Sequence, residues 1–208
     1  MPSRTYADET EVVPLLSQMK LPQWVILEIA SQVAGERANV SPLDAPPVVG
    51  FETWRWGTRY SREHAELKRL GWLPCEKDQV SGIRNAETGV KLVFCNTNAN
   101  TGTGKNPKNV HKKGPANCRL IEKNSPQLSF LPTDDPCDDL WYLCCHFCDA
   151  YISIEISRPD SEVGGIITNF SDRIIVARPH EIPGIRRLKV PEEYADVERP
   201  KVTRKKRG

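Results

Sequence analysis

Between Asn96 and Arg119 the chain reads NTNANTGTGKNPKNVHKKGPANCR, a stretch of asparagine, glycine, proline and cations without one acidic side chain. Lys, Asn, Thr and exposed backbone amides all contact phosphate oxygens without reading bases. From 100 to 123 the cations Lys105, Lys108, Lys112, Lys113, Arg119 and Lys123 face the single Glu122, a net charge of +5. That concentration predicts a lightly packed loop that attracts a polyanion, nucleic acid first, with Asn98 and Asn100 as further contacts. The GTGK at 102–105 has the residue types of a nucleotide-binding phosphate loop but not the pattern. Ala99 stands where its first glycine belongs, and Asn106 where Ser or Thr belongs.

Cys144, Cys145, His146 and Cys148 are residue types that zinc prefers. On an extended strand, however, adjacent cysteines point to opposite faces, and no second C-x-x-C supplies the missing ligands. Zinc is therefore not expected, and the thiols read as small buried hydrophobes. Seven cysteines is an odd number, so reduced thiols and a cytoplasmic location are the expectation. The acidic stretch TDDPCDD at 133–139 lacks the alternation and closing Glu of an EF-hand loop and reads as a solvated turn. Trp54, Trp56, Tyr60 and Trp72 surround Arg55, Arg59 and Arg62. Such interleaving can stack bases, but aromatics covered by arginine stems also make a core cluster, which is the reading preferred.

The elements that must position these groups follow from periodicity and punctuation. Pro22, the apolar run Trp24 to Val33 and Gly35 predict a helix over 22–34. Ser61 as cap and Gly71 as stop predict a second over 61–70. Residues 37–50 read as an extended connector. Strand-like runs at 79–84 and 90–96 flank an Asn- and Gly-bearing turn, and the basic loop hangs from that hairpin. Leu128 to Leu131 is also strand-like. LWYLCCHF and YISIEIS should pair antiparallel at the sheet centre, with Ile152, Ile154 and Ile156 on an apolar face and Ser153, Glu155 and Ser157 on a polar one. Gly164-Gly165 breaks the pattern before a further strand, RIIVA at 173–177.

The length of 208 residues fits one domain. We read a flexible N-terminus over 1–20, a single α+β domain over 21–180 and a disordered basic tail over 181–208. Its sheet is mainly antiparallel and flanked by two short helices. The net charge is only +2, yet 186–208 carries nine cations against four acids, so an acidic body bears a basic loop and a basic tail. No apolar run reaches the length of a membrane span, and the first residues lack a signal peptide's apolar core. No membrane partner is expected, whereas a homodimer remains open.

The order of elements from 61 onward, a helix bearing Glu66, two hairpin strands, a loop and a further strand pair, resembles the PD-(D/E)XK nucleases, the restriction-endonuclease-like group. Cys148-Asp149-Ala150-Tyr151-Ile152-Ser153-Ile154-Glu155-Ile156-Ser157 is similar to its motif, with Ser157 where lysine is expected. A second candidate, Gly82-Ile83-Arg84-Asn85 followed by Phe94-Cys95-Asn96-Thr97-Asn98, has amides in place of the acids. The resemblance implies a metal-dependent endonuclease of restriction or mobile-element type. Glu66, Asp149 and Glu155 would be its catalytic carboxylates, and Asp149 and Glu155 its Mg2+ ligands. Two readings without catalysis stand beside it: a nucleic-acid-binding module, for DNA before RNA, and an interaction or inhibitor protein that docks a partner through its acidic body.

Overall fold

The computed structural model describes residues 3–76, 79–124 and 139–185. Leu128 to Leu131, the acidic turn before Asp139 and the tail beyond Ile185 lie outside the described residues. The described strands are β1 (Arg4–Tyr6), β2 (Trp72–Cys75), β3 (Gly82–Asn85), β4 (Val90–Asn96), β5 (Asp139–Phe147), β6 (Tyr151–Val163) and β7 (Ile166–Pro183). They form one sheet in the order β1-β7-β6-β5-β4-β3-β2. The described helices are α1 (Glu9–Gln18), α2 (Gln23–Ala38), α3 (Pro47–Glu63), α4 (Ala65–Arg69) and α5 (Pro115–Lys123).

The class is α+β, as expected, but the sheet is mixed. β4 runs parallel to β5 and β1 parallel to β7, while the other neighbours are antiparallel. Strands β5 and β6 are the antiparallel central pair that their sequences predict. The parallel β4–β5 step needs a crossover, and the basic loop with α5 begins it.

One face of the sheet carries the main core. Ile26, Ile29 and Val33 of α2 and Val12 and Leu16 of α1 pack with Leu92, Phe94, Leu143, Ile154 and Ile156. The first twenty residues therefore do not form a free arm: Val12, Leu16 and Met19 recur at helical spacing and are buried. Helix α2 continues past Gly35, where the missing side chain meets nothing within 4 Å, and ends at Ala38.

Helix α3 replaces the expected connector and tryptophan-rich entry. Its buried stripe is Thr53, Gly57, Thr58 and Ser61, small residues instead of apolar ones. Gly57 lies so close to the Phe94 ring that a Cβ there would overlap it. The hydroxyls of Thr53 and Ser61 donate to the Val49 and Gly57 carbonyls, so neither is left unpaired in this contact. Helix α3 ends at Glu63, and α4 is the short remainder of the helix expected to 70, closed by Gly71 at φ +88°.

The opposite face has a smaller apolar cluster, in which Leu120 and Ile121 of α5 cover Val93, Leu140, Tyr142 and Phe170. Beside it lies the face of Ser153, Glu155 and Ser157. It is polar, as the alternation predicts, but all three residues are fully buried. The basic loop covers them.

Candidate functional site

The 97–114 loop is tied down along its length by its own asparagines. Asn98 Oδ1 accepts from the amides of Asn100 and Lys108, and Asn100 Nδ2 donates to the Asn106 carbonyl. Asn106 Nδ2 donates to Asn169 Oδ1 on β7. Buried Asn109 donates to the carbonyls of His111 and Gly165 and accepts from the Ile167 amide. Asn98 and Asn100, expected to contact nucleic acid, instead bond to the loop's own backbone. The loop was expected to be lightly packed; Thr101, Gly102 and Asn109 are buried.

The deepest anchor is ionic. Arg173 and Glu155 are 1% and 0% exposed, and the guanidinium engages both carboxylate oxygens, Nε to Oε1 at 3.0 Å and Nη2 to Oε2 at 2.6 Å. Ser157 Oγ donates to Oε1 at 2.7 Å, and the Gly102 amide donates to Oε2 at 2.8 Å. Arg173 Nη2 also donates to the Thr103 carbonyl at 3.0 Å. The pair thus satisfies itself and holds the loop at both Gly102 and Thr103. Gly102 sits at φ +73°, and a Cβ there would lie 2.7 Å from the Ala177 carbonyl oxygen, so glycine is required at this close approach. The glycine-rich loop does cradle an anion through an amide, but the anion is the protein's own.

Fixing the backbone leaves the cations outside. Lys105, Lys108, Lys112 and Arg119 are exposed, and none is paired with a carboxylate of the described residues. Lys113 differs: it is half-buried, with Nζ 4.7 Å from the Tyr142 ring centroid.

A cleft of about 390 Å3 opens between the start of α3, the end of β4 and the loop. Phe51 and Trp54 of α3 form one wall, 56% and 40% exposed, with ring centroids 5.9 Å apart. His111, Lys112 and Lys113 form another, with Cys95 and Asn96 between the two. Asn96 Nδ2 donates to the Gly50 carbonyl at 2.9 Å, which fixes the amide's orientation and leaves Oδ1 buried without a partner. Gly50 lets the imidazole in, since a Cβ there would lie 2.7 Å from His111 Nε2. An adjoining cleft of about 350 Å3 shares Gly50, Asn96 and His111 and extends to Arg37 and His146.

Cys95 and Cys144 face each other across β4 and β5. A hydrogen bond from Cys144, assisted by the positive charge of Lys113 and by His111, lowers the Cys95 thiol to about 6. Burial pushes Cys144 and Cys145 well up. The described cysteines, all but Cys137, are unpaired.

The carboxylates suggested by the nuclease resemblance lie on three separate elements. Glu66 is on α4 and forms a two-point ion pair with Arg69, whose hydrogen bonds hold its carboxyl below the usual carboxylate pKa. Asp149 is exposed in the β5–β6 turn, and Glu155 lies inside β6 beneath the loop. From Tyr151 to Glu155 the strand rises about 13 Å at its usual rise per residue. Among the described residues no three His, Cys, Asp or Glu side chains gather as a metal site. Nor is any described helix long and apolar enough to cross a membrane.

The residues that sequence reasoning passed over are Gly50, Phe51 and Asn117, together with Asn96 as a cleft-lining amide. Gly50 and Phe51 follow the Pro46-Pro47 start of α3, which was the signal for them, whereas Asn96 and Asn117 reach the cleft from other elements. Comparison with family models, with curated proteins and with solved structures finds no match.

Proposed function

We propose that this protein is a nucleic-acid-binding module that holds the phosphate backbone through Lys105, Lys108 and Lys112 of the 97–114 loop and Arg119 of α5. The observation that carries this reading is a cationic array without carboxylate partners among the described residues, on a backbone fixed by the buried Glu155–Arg173 pair. Because the loop is already ordered, contact with a polyanion costs little further chain entropy, and the charge concentration accelerates encounter. The exposed aromatics beside Lys112 favour a single strand, whose bases can stack on them.

Phosphodiester cleavage forms no part of this proposal, since Glu155 already accepts from four protein donors. Incubation of plasmid DNA with Mg2+ checks that exclusion. Nicking that Asp149→Asn abolishes at unchanged thermal stability would restore the endonuclease reading.

The binding reading is tested by affinity for a single-stranded oligonucleotide as a function of salt. Replacing Lys105, Lys108 and Lys112 by alanine together should flatten the log–log slope by about 2, at roughly 0.7 per phosphate contact on single strands. An unchanged slope refutes the assignment of phosphate contacts to the loop.

A further inference from the structure

We infer that the 390 Å3 cleft is a pocket for one unstacked nucleobase and its phosphate, so that the protein binds strands whose bases are free to turn outward. This rests on the nucleic-acid reading above and adds to it a site for the base beside a phosphate held at Lys112. The volume lies within the roughly 300–1,000 Å3 range of small-molecule sites. The lining divides in two: an exposed aromatic wall, Phe51 and Trp54, and a polar wall in which Lys112 carries positive charge beside the His111 imidazole.

Two helix starts open on the cationic side. Gly114 and Asn117 line the cleft at the beginning of α5, and Pro47 and Gly50 at the beginning of α3, and neither helix has a side-chain N-cap. Helix starts carry partial positive charge, which suits a phosphate, although Pro47 and Pro115 bring no N–H and the Val48 amide already donates to the Ala45 carbonyl. The aromatic side suits the face of a base, because Trp54 and Phe51 are held on a helix and lose little freedom on stacking.

The aromatic wall is what selects a base over a plain anion, which gains nothing from stacking on Phe51 and Trp54. Asn96 lines the same cleft, its amide nitrogen donating to the Gly50 carbonyl and its Oδ1 sealed from solvent.

The test uses two single-stranded 12-mers of equal charge, oligo-deoxyadenylate and a fully abasic strand. Stacking is worth about 1–3 kcal/mol per base, so the wild-type protein should bind the adenylate strand about tenfold more tightly, with quenching of tryptophan fluorescence that Trp54→Ala removes. Gly50→Val, which fills the cleft beside His111, should abolish the base preference. Equal binding of the two strands by the wild type, with the slope expected for the loop, overturns the base pocket and leaves the phosphate-binding module standing. A base preference that survives both Gly50→Val and Trp54→Ala overturns it as well. Failure to bind either strand overturns the module itself, and the pocket with it.

Discussion

Replacing Glu155 with alanine removes the acceptor for four donors at once: two guanidinium nitrogens of Arg173, the Ser157 hydroxyl and the Gly102 amide. All of them lie where the carboxylate is fully buried, so no water takes its place without rearrangement. Removing one member of a buried ion pair leaves the other charge uncompensated and costs about 3–5 kcal/mol. That is a large share of the roughly 5–15 kcal/mol that stabilises a folded domain. For a chain of this size it corresponds to a fall in Tm of about 6–20 °C. The loss should be concentrated at the loop, because Gly102 and Thr103 are the backbone groups the pair holds. Chemical denaturation gives the total, and amide hydrogen exchange gives its location: the Gly102 amide should exchange much faster in the variant. Replacing Glu155 and Arg173 together by methionine should cost less than Glu155→Ala alone, because no charge is then stranded. A cost below about 1 kcal/mol for Glu155→Ala, with Gly102 exchange unchanged, would refute the view that this pair anchors the loop.

Two further perturbations probe the walls of the cleft. Gly57→Ala forces a methyl into the Phe94 ring and should destabilise the fold by about 1–3 kcal/mol, read as a lower denaturation midpoint at unchanged slope. Thiolate absorbance in the ultraviolet should appear with a midpoint at about pH 6 and vanish in Cys95→Ser. Because the folded thiol is more acidic than its ordinary value near 9, its contribution to stability is complete above that pH. The contribution declines as pH falls toward 6, so Cys95→Ser should flatten the stability profile between those values.

The strands were legible where apolar runs or turn residues marked them, as in LWYLCCHF and the 85–89 turn. Helix α3 was not, because its buried stripe is Thr, Gly, Thr and Ser and carries no hydrophobic period. Helix α1 was hidden by its acidic, polar exposed face, although Val12, Leu16 and Met19 keep helical spacing. The polar face of β6 was legible as polar but not as buried, since the loop that covers it closes over non-local partners, Glu155 with Arg173 and Asn109 with Gly165. The cations of the site could be read from composition alone. The rigidity of the backbone beneath them could not, because asparagines in a turn-rich stretch suit solvent contact and internal bonding equally.

Amide hydrogen exchange of the full chain with and without a single-stranded oligonucleotide is the most direct test that the fixed basic loop is the binding surface. Added strand should slow exchange at 105–117 and in the first turns of α3, and leave the strands β1 and β7 unchanged. Protection confined to the opposite face of the sheet, or none at strand concentrations that saturate binding, would contradict the account.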